Sequence, residues 1–205
     1  MIESLGEAFG GPVSRETAAK IERYVSLLLD ENSRQNLISR GSVEDVWQRH
    51  IIDSAQLLRH APTDASWLDI GSGPGLPGMV LAMRDVREVT MVEPRRLRTA
   101  FLERCRDELD LKNVTIVTGK TDQLSGRYDV ITARAVASID RLFAISLPLS
   151  HPESRWVLPK GRSAAKELEE ARRTWQGNFR LEPSVTDPES RILVAEAVRR
   201  KAGRG

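Results

Sequence analysis

The sequence predicts an α/β fold: a mostly parallel sheet that ends in an antiparallel hairpin, preceded by a helical N-terminal extension. Three observations predict it. From Trp67 onward, short β-rich runs alternate with helical stretches, the signature of parallel strands with helices on both faces. The last two runs are joined only by "TDPES", too short for the crossover that a parallel pair needs, so they run antiparallel. The stretch "WLDIGSGPGLPGMV" (67–80) places a glycine-rich loop directly after the first strand.

The elements can be taken in chain order. Residues 14–33 set Ala18, Ile21, Val25 and Leu28/Leu29 at helical spacing, with Ser14 as the cap. "NLIS" (36–39) ends that helix, and Ser42 is expected to cap a second one through Val46, Ile51 and Leu57/Leu58. The helical extension therefore spans residues 1–60, packed on a core of residues 61–205 as one domain. Strands are predicted at 66–70, 88–93, 113–117, 128–133 and 155–159, with helices near 75–84, 95–110 and 138–148 and a turn near 121–125. A polar helix at 161–176 precedes the closing strands, 178–185 and 191–198.

Composition excludes several classes. The chain has 205 residues, 40% of them hydrophobic and 29% charged, as expected of a globular protein. Its single cysteine, Cys105, allows no intramolecular disulfide framework and no Cys-rich zinc site, and no metal is expected. The N-terminus lacks the basic start and apolar core of a signal peptide, and no apolar run approaches the ~18–20 residues that span a membrane. A cytoplasmic, monomeric protein is expected. The net charge of +2 does not announce a nucleic-acid partner, but "RRLRTAFLERCR" (95–106) and the tail from Ser190 are locally basic.

Two ligands compete for the glycine loop. "GPGLPG" (73–78) matches the dinucleotide pattern, but the register should start at Gly71 at the strand's end. There the third position is Leu76, and Asp69 has no role. No phosphate-binding G-x-x-x-x-G-K-[ST] loop is present. Read as D-x-G-x-G-x-G, the loop comprises Asp69, Gly71, Gly73 and Gly75. An acid ahead of the loop repels phosphate but suits an ammonium or a polarised water. Glu93 closes the next strand, where a carboxylate accepts hydrogen bonds from both ribose hydroxyls. Asp122, beside Thr121, follows the third strand and can frame an adenine. A ligand with an ammonium, a ribose and an adenine but no phosphate is S-adenosylmethionine. The pattern resembles the fingerprint of class I S-adenosylmethionine-dependent methyltransferases, whose Rossmann-like sheet also ends in an antiparallel hairpin.

The methyl acceptor is narrowed by chemistry. The fourth strand runs into "TARAVAS" (132–138), without the Pro-Pro-aromatic motif of exocyclic amine methylation. Pyrimidine C5 methylation needs a cysteine nucleophile, and Cys105 reads as core. What remains is an acceptor that is already nucleophilic, such as a purine N7, or one deprotonated by a local base. Together "RHIIDS" (49–54), "GSGPGLPG" (71–78), "TARAVAS" and "LPKG" (158–161) resemble the bacterial small-subunit ribosomal RNA guanine-N7 methyltransferases, the glucose-inhibited division protein B family. The resemblance runs from "QNLIS" to "RILVAEA" (191–197).

That resemblance implies methylation of N7 of guanine 527 in the 530 loop of 16S rRNA, as naked RNA or in a small-subunit particle, with S-adenosylhomocysteine as the second product. It implies a cofactor site made by Asp69, Gly71, Ser72, Gly73, Gly75, Leu76, Glu93, Thr121, Asp122 and Arg134. It implies acceptor-side donors at Asn36, His50, Arg134, Lys160 and Arg191, with Lys120 at a position where the family usually carries arginine. Pro94-Arg95-Arg96 likewise departs from the family's usual Ser-x-x-Lys. Read without the family, Asn36 ends a helix, His50 shares a helix face with Asp53 and Ser54, and Arg191 is a hairpin surface charge; Arg134 and Lys160, just past strand ends, point to function. Gly126, Arg127 and Asp140 read as turn and surface residues. Ribose 2′-O methylation with Lys160 as base, a non-catalytic ribosome-binding module and a nicotinamide oxidoreductase are the alternative readings.

Overall fold

A computed structural model describes residues 2–84 and 86–202. Its seven strands are β1 (Ser66–Ile70), β2 (Glu88–Glu93), β3 (Val114–Thr118), β4 (Val130–Ala133), β5 (Arg155–Lys160), β6 (Trp175–Pro183) and β7 (Arg191–Arg200). They form one sheet in the order β3-β2-β1-β4-β5-β7-β6. The first five strands are parallel, and β7 pairs antiparallel with both β5 and β6, as the short turn required. The hairpin begins earlier than its alternation suggests. Trp175 and Gln176 pair with Arg200 and Arg199 across an irregularity at Gly177, which interrupts the period of two.

The chain order reverses between β1 and β4, and that is where an open α/β sheet opens a crevice for ligands. Ile70 pairs with Ala133, so the glycine loop and the segment from Arg134 leave the sheet side by side.

The helices are α1 (Ile2–Phe9), α2 (Arg15–Gln35), α3 (Arg40–Val43), α4 (Asp53–Ala55), α5 (Gly78–Ala82), α6 (Arg96–Glu108), α7 (Ile139–Ser146) and α8 (Ala164–Ala171). Ser14 caps α2 by accepting the Thr17 amide at 3.0 Å, as the spacing predicted. The second N-terminal helix differs from expectation. Residues 40–60 form a broken helical path, with a wide turn at Trp47–Ile52 and a tight one at Gln56–His60. Ser39, not Ser42, stands before its first turn, and the Ser42 hydroxyl instead donates back to the Ser39 carbonyl. The stretch expected as a helix at 161–176 is helical only over α8.

One apolar cluster runs from Leu5, Ile21 and Leu28 through Ile51 and Leu57 to Trp67, Met79 and Val194, so the N-terminal helices share a core with one face of the sheet. A second cluster, around Phe143, Trp156 and Trp175, fills the other face. Asp140, expected at the surface, accepts the Trp175 indole N–H at 2.8 Å and ties α7 to β6. Arg127 is exposed, but its guanidinium donates to the Ser150 carbonyl and closes the loop after α7. Among the described residues no helix is long and apolar enough to cross a membrane.

Candidate functional site

The glycine loop is shaped by positive backbone angles. Gly71 has φ +66° and Gly73 φ +56°, conformations that side-chain-bearing residues adopt only with strain. A Cβ on Gly71 would lie 2.7 Å from the Val136 side chain, so the loop and the segment after β4 touch there. At Gly73 a Cβ would meet the Arg98 guanidinium at 3.7 Å and the Gly71 carbonyl at 3.9 Å, ordinary contact distances. The loop is held from three sides. Gly71 donates its amide to the Val92 carbonyl at 2.8 Å, and Tyr24 of α2 donates its hydroxyl to the Pro74 carbonyl at 2.8 Å. Glu93 accepts the Gly73 amide at 3.0 Å and the Arg95 amide at 3.0 Å.

Three cavities meet at residues 134–138. One of about 1210 Å³ is lined by Gly71, Pro94, Lys120, Thr121, Asp122 and Val136. A second, of about 600 Å³, lies behind the glycine loop, against His50, Ser72, Gly73, Leu76, Glu93 and Arg134. The third, of about 560 Å³, is lined by Asp53, Arg134, Lys160, Gly161, Glu167 and Arg191. Val136 lines all three and is 42% exposed. Ala135, beside it, has φ +55°, a strained conformation of the kind that clusters where ligands are held.

Of the residues named from sequence, Gly71, Ser72, Gly73, Leu76, Glu93, Thr121, Asp122 and Arg134 line the first two cavities, and Lys120 stands exposed at the rim of the first. Gly75 is buried beneath the loop, where a Cβ would meet Met79 and Leu102. Asp69 lines none of the three cavities. It is fully buried and uses Oδ2 to accept the Gly78 amide at 3.0 Å, while Oδ1 has no partner. Burial pushes its carboxyl up to about 7, against the pull of the Gly78 amide. It fastens the loop to the start of α5 from below.

On the other side, Arg134 donates to the Arg49 carbonyl at 2.6 Å and lies 3.4 Å from Asp53 Oδ2. Lys160 Nζ donates to the Ala137 carbonyl at 2.8 Å and to Glu167 Oε2 at 3.0 Å. Arg191 donates to the Pro188 and Ser190 carbonyls. His50 has both ring nitrogens buried without a partner, and burial holds its imidazole down to about 4, so it is neutral at physiological pH. Asn36 is exposed, has φ 50°, and closes α2 by donating its amide to Asn32; it lines none of these cavities, which begin at Leu37. Cys105 is fully buried, its thiol raised to about 12, as a core residue.

Several lining residues are not marked as site residues by the sequence, among them Val136, Arg98, Asp53 and Glu167. Val136 lay inside a quoted motif in which only the arginine drew attention. Arg98, within the locally basic stretch 95–106, stands 3.7 Å from Glu93 Oε2. Asp53 was noted only as a helix-face neighbour of His50.

The donor set fits S-adenosylmethionine. The Glu93 carboxylate has about four lone-pair sites and spends two on backbone amides, leaving two for ribose hydroxyls. Ile70, Pro94, Leu124 and Val136 give an apolar slot for a purine, with Asp122 at its edge. Among the described residues no group of three His, Cys, Asp or Glu side chains gathers as a metal site.

Residues 17–189 match a family model described as rRNA small subunit methyltransferase G. The chain is similar to the ribosomal RNA small subunit methyltransferase G of Zymomonas mobilis, 46% identical over 199 residues that cover 92% of this chain and 90% of the relative. It is equally similar to that of Rhizorhabdus wittichii, 46% identical over 193 residues, 92% of this chain and 89% of the relative. Among solved structures, M. jannaschii TYW2 in complex with AdoMet has a TM-score of 0.56 at 11% identity, covering 80% of this chain and 78% of that one; what the two share is the fold.

Proposed function

The chain belongs to the rRNA small subunit methyltransferase G family, and from that premise we propose that it methylates N7 of guanine 527 in the 530 loop of 16S rRNA. It is an S-adenosylmethionine-dependent methyltransferase, acting in this reading as a cytoplasmic monomer. When bound, S-adenosylmethionine supplies an electrophilic methyl group on a sulfonium. Gly71, Gly73, Glu93 and the Thr121–Asp122 pair would hold it along the first two cavities.

One observation carries the choice of acceptor atom. In the third cavity each lining carboxylate faces a cation: Asp53 faces Arg134 at 3.4 Å and Glu167 faces Lys160 at 3.0 Å. The lysine is used as a donor in both of its contacts. The cavity therefore offers guanidinium and ammonium donors but no free proton acceptor. Guanine N7 has a lone pair and no proton, so its attack needs no base. The residues then have to orient the base, donate to its O6 and to phosphate, and tolerate a purine that gains positive charge. Arg134 and Arg191 suit the base edge and a phosphate through their planar forks, and Lys160 serves as a compact charge. A ribose hydroxyl would need a base that this wall does not supply. The reading is tested by transferring labelled methyl to small-subunit RNA and identifying the modified nucleoside. 7-Methylguanosine supports it; 2′-O-methylated product overturns it.

A further inference from the structure

Asp53 joins two parts of the acceptor wall that lie far apart in the chain. Its Oδ1 accepts from Gln56 Nε2 at 2.9 Å and from the Thr186 hydroxyl at 3.0 Å, while Oδ2 stands 3.4 Å from the Arg134 guanidinium. Thr186 belongs to the turn between β6 and β7. Gln56, 1% exposed, seats the same turn by accepting the Val185 amide at 2.8 Å. Ser184, Ser190 and Arg191, from the turn and the strand it feeds, line the same cavity as Asp53 and Arg134.

Arg134 has little else to fix it. It follows the last residue of β4 and precedes Ala135, held at φ +55°. Among the described residues its one other polar contact, to the Arg49 carbonyl, uses the same Nη2 nitrogen that faces Asp53. A single acceptor leaves a planar fork free to turn about that bond; the Asp53 charge beside the same nitrogen restrains that turn. The pair is three-quarters or more buried, its side chains 23% and 17% exposed, so the attraction is only partly screened.

We propose that Asp53 is a positioning residue for methyl transfer: it sets the plane of the Arg134 guanidinium against the acceptor cavity and makes that setting depend on the seated β6–β7 turn. This rests on the methyl-transfer reading given above. RNA that presses on the turn and RNA that presents its base to Arg134 are thereby felt by one carboxylate.

Asp53→Asn separates fastening from positioning. An amide oxygen still accepts from Gln56 and Thr186, but the charge is lost and an N–H₂ donor faces the guanidinium. The variant should melt within a few degrees of the parent and bind S-adenosylmethionine within about threefold. Its single-turnover methyl transfer to small-subunit rRNA should fall at least about tenfold. Thr186→Val, which removes only the hydroxyl of the turn, should slow transfer severalfold, again without changing cofactor affinity. The double variant Asp53→Asn/Arg134→Ala should be no slower than Arg134→Ala alone, because one residue acts through the other. A folded Asp53→Asn protein with the parental rate, or losses that multiply in the double variant, would overturn the proposal while leaving the methyltransferase reading intact. An unaltered protein that transfers no methyl to this RNA would overturn both.

Discussion

Glu93 Oε2 accepts the amide of Gly73 at 3.0 Å, a bond between the end of β2 and a loop twenty positions earlier in the chain. The carboxylate expected to read the ribose also holds the glycine loop in shape. Replacing it therefore has two effects that a pair of variants can separate. Glu93→Gln retains an acceptor oxygen and should weaken S-adenosylmethionine binding by about 1–3 kcal/mol, the range for hydrogen bonds to a charged group. Glu93→Ala should weaken it further and also lower the thermal midpoint. Calorimetric titration reads the first effect and a melting curve the second; unchanged affinity in both variants would refute the ribose role.

Gly73→Ala should oppose cofactor binding through the backbone as well as through bulk. At φ +56° any side chain is strained by about 1 kcal/mol, and Gly73 and the Arg98 guanidinium its Cβ would touch both line the second cavity. A loss of cofactor affinity exceeding the loss of stability is expected from titration and melting of the same sample. Equal losses would mean that the position matters only to the fold.

Arg134→Ala should leave cofactor affinity within about threefold, under ~0.7 kcal/mol, while methyl transfer to rRNA falls by orders of magnitude. Arg134→Lys should recover only part of the rate, since an ammonium cannot reproduce a two-point contact. Full single-turnover activity in Arg134→Ala would remove the residue from the acceptor site.

The buried carboxyl of Asp69 makes stability depend on pH in a stated direction. It ionises near 3.8 in the open chain and near 7 in the fold. Between those values the folded state holds a proton that the unfolded state has released. Its ionisation therefore costs stability progressively as pH rises through that window, and the cost is constant above it. Asp69→Asn, which still accepts from Gly78, removes the dependence. Relative to the parent, the variant should gain on the order of 2 kcal/mol between about pH 5 and pH 8. Denaturant melts at those two values decide it; a gain that shrinks with rising pH would contradict the assignment.

Catalysis should be indifferent to pH above about 8.5, where Asp69 and His50 have both finished titrating and no enzyme base has to lose a proton. A kcat that climbs through that range would indicate a deprotonated acceptor.

The sheet was legible in the sequence because its information is local. Strands β1 to β5 carry runs of Val, Ile and Trp, and "TDPES" leaves no room for a crossover. The glycine loop and Glu93 were legible for the same reason, as strand ends at fixed spacing. The path through residues 40–60 was not, because its turns are set by contacts such as those of Ser42 to Ser39 and Gln56 to the distant Ser184. α1, "IESLGEAF", sets Ile2, Leu5 and Phe9 at helical spacing, but with only eight residues and a glycine inside it depends on Leu5 and Phe9 packing in the core. Asp69 was placed correctly in the motif, but its burial beneath the loop is a property of three dimensions. The links Asp53–Thr186 and Asp53–Arg134 join residues 133 and 81 positions apart, and no window of sequence contains them.

The most direct measurement is nucleoside mass spectrometry of small-subunit rRNA after a single turnover with labelled S-adenosylmethionine, with the modified position mapped by fragment. The proposed acceptor predicts one labelled nucleoside, 7-methylguanosine, at guanine 527 of the 530 loop. Label on a ribose 2′-oxygen, on another base or nowhere would contradict the reading of the third cavity as a site of donors without a base.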